Sequence, residues 1–149
     1  SLNAYADELT MSWDHIRELS KDDLVTIGSH AITHTNLSSL SSEEMYMEIH
    51  ESRKRIENET GKGVVHFSYP FGNYEAVQAR EFSTLQTSSY LTAATTRNAH
   101  IFPQHAQFLW CLPRIGIDGN NETIKHFKVL MSGALSAFQY PLKQVITTE

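Results

Sequence analysis

Apolar residues recur along this chain at helical and strand spacings. The clearest helix begins at Ser41-Ser42-Glu43-Glu44, where Ser41 and Glu44 form a capping box that satisfies the first turn of the backbone. Met45, Ile49, Ser52 and Ile56 then follow at four- and three-residue intervals and define one buried stripe. Glu51 and Arg55 lie one turn apart on another face and are placed to pair, and Gly61 is placed to end the helix. Ser12 caps a shorter helix with Trp13, Ile16 and Leu19 along one side. A last helix carrying Ile124, Phe127 and Met131 is expected after a cap at Asn121.

Between the helices stand short runs of β-branched and aromatic residues. Residues 24–28, ending in Gly28, read as a buried strand; residues 64–69, closed by Pro70 and Gly72, read as a second. A helix over 74–86 leads to a strand around 90–95. A loop over 97–107 precedes an apolar run from 108 to 117, broken by Pro113. The order is helix, strand, helix, strand, helix, strand, strand, helix. This alternation predicts an α/β chain with a largely parallel sheet, whose chemistry gathers at the carboxyl ends of the strands. Residues 1–10 form a polar lead-in, 11–140 one domain, and 141–149 a tail.

Composition narrows the function. A chain of 149 residues with 40% hydrophobic and 10% aromatic positions has material for one core and is not a disordered segment. The net charge of −5 lacks the basic footprint of a nucleic-acid binder. No apolar run approaches the roughly 20 residues needed to cross a bilayer. Cys111 is the only cysteine, which excludes an intrachain disulfide and a thiolate cluster. The eight histidines stand out, because imidazole is both a metal ligand and a proton shuttle near neutral pH.

Three segments at predicted strand ends carry candidate chemistry. His30 and His34 follow the first strand, four residues apart, and on one turn of helix-like chain could aim both imidazoles at one ion; the alternative is a pair of ordinary polar loop histidines. In Phe67-Ser68-Tyr69-Pro70-Phe71-Gly72, the proline fixes a tight turn whose backbone N–H can stabilise an oxyanion, or simply ends the strand. Tyr69 is either core packing or a sugar-stacking platform. In Leu112-Pro113-Arg114-Ile115-Gly116-Ile117-Asp118, Arg114 lies in an apolar run and must clamp a carboxylate or reach solvent. His15, His50 and His126 fall on helix surfaces and His66 on a strand; His100 and His105 remain as proton-donor candidates.

Taken together, these motifs resemble the polysaccharide deacetylases of the NodB-homology type, carbohydrate esterase family 4. The resemblance starts at Met11-Ser12-Trp13-Asp14-His15-Ile16-Arg17-Glu18-Leu19 and continues through Ile27-Gly28-Ser29-His30, His34 and Asn36-Leu37. It then takes in the helix from Ser41–Glu44 to Glu57–Gly61, the Phe67-Ser68-Tyr69-Pro70-Phe71-Gly72 segment and Leu112-Pro113-Arg114-Ile115. It implies a deformed (β/α) barrel, here partial, and metal-dependent removal of N- or O-acetyl groups from a polysaccharide or oligosaccharide. It also implies a divalent metal, zinc in the first instance, held by His30, His34 and an Asp. The Phe71 N–H would serve the oxyanion, Tyr69 and Pro70 would bind substrate, and Arg114 would pair with the catalytic base.

The family's early Thr-Phe-Asp-Asp strand, which supplies the base and third ligand, has no counterpart in residues 1–10, where Asp7 lacks that context. The late Leu-x-x-His motif that supplies the general acid is also absent. The chain is therefore expected to be the later part of a deacetylase domain and inactive alone. The alternative is a non-catalytic carbohydrate-binding or scaffold domain of the same fold. An incomplete barrel would leave an unpaired sheet edge, which invites self-association. The substrate class implies the cell envelope or a secreted location.

Overall fold

The computed structural model describes residues 9–117, 123–134 and 145. Helix α1 spans Trp13–Leu19 and α2 Ser42–Thr60. Strand β1 (His66–Ser68), helix α3 (Ala79–Thr87), strand β2 (Thr92–Ala94) and helix α4 (Ile124–Met131) follow. Short 3-10 turns lie at Leu37–Ser39, Pro103–Gln107 and Leu109–Cys111. Asp7, Asn121 and all of the expected tail except residue 145 lie outside the described residues, as does most of the lead-in.

The helix caps form as the sequence dictates. The Ser41 hydroxyl accepts from Glu44 N while the Glu44 carboxylate accepts from Ser41 N, and Gly61 takes the left-handed φ of 68° that closes α2. Met45, Ile49 and Ser52 are its buried face. Arg55 turns away from Glu51, because its guanidinium sits over the Trp13 ring of α1, 5.0 Å from the centroid, and pairs with Glu59 at 2.9 Å. Glu51 instead approaches Lys54 at 3.7 Å.

β1 and β2 pair in parallel, with Phe67 opposite Ala93. Single parallel bridges extend the arrangement on both sides: Ser29 to Phe67 and Ala94 to Leu112. Four chain segments thus run the same way in the spatial order 29, β1, β2, 112. The core lies where α2 and α3 cover β1 and β2, and includes Leu37, Met45, Ile49, Phe67, Tyr69, Leu85, Tyr90 and Ala93.

Three sequence expectations are corrected. Residues 24–28 form no named strand: Leu24 is 95% exposed, and the segment joins the sheet only at its end, through Ser29 N to His66 O and Ser68 N to Ser29 O. The apolar run 108–117 folds as a 3-10 turn and one bridge, because Pro113 lacks the N–H that a ladder needs. The helix expected from 74 starts at Ala79, because the Asn73 carboxamide accepts from Ala76 N and holds a turn there instead. The fold is therefore a mixed helix–strand structure. Among the described residues its sheet is open, with two strands.

Candidate metal and oxyanion site

Because the four segments run parallel, their carboxyl ends gather on one side of the sheet. His30 follows the Ser29 bridge, the 70–72 turn follows β1, Thr96 follows β2, and Arg114 follows the Leu112 bridge. Topology therefore assembles the segments that the sequence singled out.

His30 and His34 meet edge to face, with ring centroids 4.8 Å apart and planes at 70°. The connection is a loop, not the helix-like turn expected from four-residue spacing. Ala31 and His34 take left-handed φ values of 63° and 57°, which folds the second ring back onto the first. His30 Nδ1–H donates to Ser68 O at 2.7 Å. A carbonyl can only accept, so in the neutral ring the free lone pair is on Nε2, as a metal ligand requires. With Zn–N of about 2.1 Å, two imidazoles on a tetrahedral ion have ring centres roughly 5 Å apart. The observed separation and the fixed tautomer thus fit two positions of such a site. Among the described residues, no group of three or more His, Cys, Asp or Glu is placed to complete it.

The adjoining turn is equally constrained. Phe71 has φ 62°, its ring lies against His34 at 5.1 Å, and its N–H meets no acceptor among the described residues. Gly72 has φ 69°, and a Cβ there would come within 2.7 Å of Thr96 N. Thr96 braces the turn twice, donating from N to Gly72 O at 3.0 Å and from Oγ1 to Phe71 O at 2.7 Å. An open depression of about 480 Å³ adjoins His30, lined also by Thr26, Gly28, Ser29, His66, Phe67 and Ser68.

The remaining candidates separate. Tyr69 is fully buried, in edge-to-face contact with Phe67 and Phe82, and its hydroxyl donates to Trp110 O at 2.8 Å. Burial also holds its phenol far above the usual range. Tyr69 is thus a core residue here and has no face for a sugar; Pro70 beside it is buried too. Arg114 reaches solvent, its Nε anchored to Thr95 O at 2.8 Å, with no carboxylate partner among the described residues. His105 is buried, with Nδ1 bonded to the Phe102 backbone. Two positioning groups do not stand out in the sequence. Glu48 holds the 30–34 loop from α2, and its one signal is a carboxylate three residues after Met45, at the edge of the buried stripe. Thr96 carries no comparable signal.

The fold resembles solved deacetylases. It matches a Bacillus anthracis protein assigned as a polysaccharide deacetylase at 25% identity with a TM-score of 0.68, covering 80% of this chain. A Bacillus cereus polysaccharide deacetylase matches at 24% and 0.70, and a Streptococcus pyogenes deacetylase in complex with acetate at 17% and 0.71, each over 82% of this chain. The chain spans only 36%, 37% and 51% of their respective lengths. Among curated proteins, no relative matches it. The family model of polysaccharide deacetylases matches residues 3–88, more than half of the chain, and the chain belongs to that family.

Proposed function

We propose that this chain forms part of the active centre of a metal-dependent deacetylase acting on an N- or O-acetylated polysaccharide. His30 and His34 hold a divalent ion, zinc in the first instance, and the Phe71 N–H receives the oxyanion. The observation that carries this reading is the contact of the two imidazoles, one tied to Ser68 O, beside a turn that leaves its Phe71 amide free. When bound, the ion polarises the acetyl carbonyl and acidifies a water.

This chain's own residues do the rest of the positioning. Ser68 O fixes the His30 tautomer, and Thr96 fixes the Phe71–Gly72 backbone, so that the amide is aimed before substrate arrives. Such preorganised donors are worth about 3 kcal/mol of barrier in acyl transfer. Arg114, held through Nε by Thr95 O, is assigned to pair with the base carboxylate. Two imidazoles alone hold a metal weakly, and the base and third ligand come from outside the described residues. Acetate release by these 149 residues alone is therefore expected to stay near background.

Zinc titration by calorimetry tests the ligand assignment. The chain should bind Zn²⁺, and His30→Ala and His34→Ala should each abolish the heat of binding. Unchanged binding in either variant would remove the metal reading. Release of acetate from chitooligosaccharides or acetylxylan by the chain alone, at a rate well above background, would overturn the expected inactivity.

A further inference from the structure

The loop that joins the two histidines has little to hold it. Ala31 and His34 are both in the left-handed region, which residues with a side chain disfavour. Among the described residues, the backbone groups of 30–35 make hydrogen bonds only through Ile32 N–H and Thr33 N–H. Both donate to one oxygen, Glu48 Oε2, at 2.8 and 3.0 Å, while Thr33 Oγ1 donates to Glu48 Oε1 at 2.8 Å. The three donors lie between His30 and His34 in the chain. The acceptor stands on α2, whose Met45 and Ile49 are locked in the core on either side of it. A rigid helix thus grips the middle of the loop and leaves its two ends, the imidazoles, facing each other.

We infer that Glu48 is a positioning residue for the metal site: its carboxylate sets the separation of the His30 and His34 rings by clamping the segment between them. The inference rests on these two histidines being the ligands. Ile32 and Thr33 are exposed, so water can replace the three bonds when the carboxylate is removed. Loss of Glu48 therefore leaves the fold standing and releases the loop. Geometry, and not charge, is what the carboxylate provides. In Glu48→Gln, Oε1 can accept from both amides while Nε2 donates to Thr33 Oγ1, whose own proton passes to Thr35 Oγ1, 2.8 Å away. Glu48→Asp keeps the charge but is one methylene too short to reach.

The test is Zn²⁺ titration of the whole chain, followed by calorimetry and by the imidazole NMR signals of His30 and His34, with the melting temperature measured in parallel. Glu48→Ala and Glu48→Asp should weaken Zn²⁺ binding about tenfold or more, the usual size of a lost supporting contact, while Glu48→Gln stays within about threefold of the parent chain. The metal-free protein gives a second readout: the contact between the two rings should be lost in Glu48→Ala and kept in Glu48→Gln, with both variants melting close to the parent. Parent-like binding by Glu48→Ala overturns the inference, as does Glu48→Gln falling while Glu48→Asp is spared. His30→Ala separates the two levels. If it abolishes binding and Glu48→Ala does not weaken it, only the clamp is wrong. If His30→Ala binds as the parent does, or the parent takes up no Zn²⁺, the ligand assignment fails and the clamp with it.

Discussion

The two loops that meet at the carboxyl end of the sheet are held in opposite ways. The 70–72 turn is fixed by main chain: Tyr69 N donates to Ala94 O, Gly72 N to Pro70 O, and Thr96 N to Gly72 O. The 30–34 loop is fixed by one side chain reaching from α2. Both carry a non-glycine residue at positive φ, so both adopt a conformation that local preference opposes. The first is inseparable from the pairing of β1 and β2, whereas the second can be undone while the sheet stays intact. A turn that orients a backbone amide needs the stiffness of the sheet. On the proposed assignment, the 30–34 loop can rely on a replaceable clamp, because a bound ion would add restraints of its own.

The comparison breaks most visibly at Gly72. Gly72→Ala would force an L-residue to φ 69° and bring its Cβ within 2.7 Å of Thr96 N, a backbone atom that cannot swing aside. Positive φ and overpacking together should cost about 3 kcal/mol in chemical denaturation. A loss below about 1 kcal/mol would show that the turn is looser than the ladder it abuts. Thr96→Val is the gentler version. It keeps the N–H bond to Gly72 O and removes only the hydroxyl bond to Phe71 O, so the expected loss is about 1 kcal/mol or less. Amide exchange should quicken at Gly72, whose N–H donates to Pro70 O within the turn, and not in β2. Faster exchange across β2 as well would mean that Thr96 serves the sheet more than the turn.

What the sequence reveals follows the same division. The capping box at Ser41 and Glu44, the Gly61 stop and the Met45–Ile49–Ser52 face are local signals, and each is found where the pattern puts it. Burial of residues 24–28 was not legible locally, because a run such as Leu24-Val25-Thr26-Ile27 is apolar whether or not a neighbour covers it; here Leu24 is exposed. The run 108–117 misleads for a related reason: it folds around a 3-10 turn, with Cys111 buried and Phe108 and Ile117 exposed. At the site, the residue types and their order are legible, but not the left-handed backbone at Ala31, His34 and Phe71 that brings the rings together. Non-glycine residues at positive φ are imposed by tertiary partners, here Glu48 and Thr96, which lie 14 and 25 residues beyond His34 and Phe71 respectively.

Glu57 sharpens the comparison by repeating the Glu48 device at the opposite end of α2. Its Oε1 accepts from Val64 N at 2.9 Å, on the approach to β1, and from Arg53 Nε at 2.9 Å. The Val64 N–H is the main reason its carboxyl titrates below the ordinary range; partial burial works against this, and Arg53 adds to it. Because the folded pKa is lowered, the folded chain holds this proton less tightly than the unfolded chain. The resulting stability is fully present above the ordinary carboxylate value of about 4.3 and is lost as pH falls through the lower folded value. Glu57→Gln keeps an acceptor for Val64 N and removes the titration. The stability difference between parent and variant should therefore be largest near neutral pH, at about 1 kcal/mol or less for a partly exposed pair, and should shrink below pH ~4. A difference that grows on acidification would mean that the protonated carboxyl is the form the fold prefers. In that case Glu57 supports the entry to β1 as a neutral hydrogen-bonding group, and α2 holds its two neighbouring loops by different means.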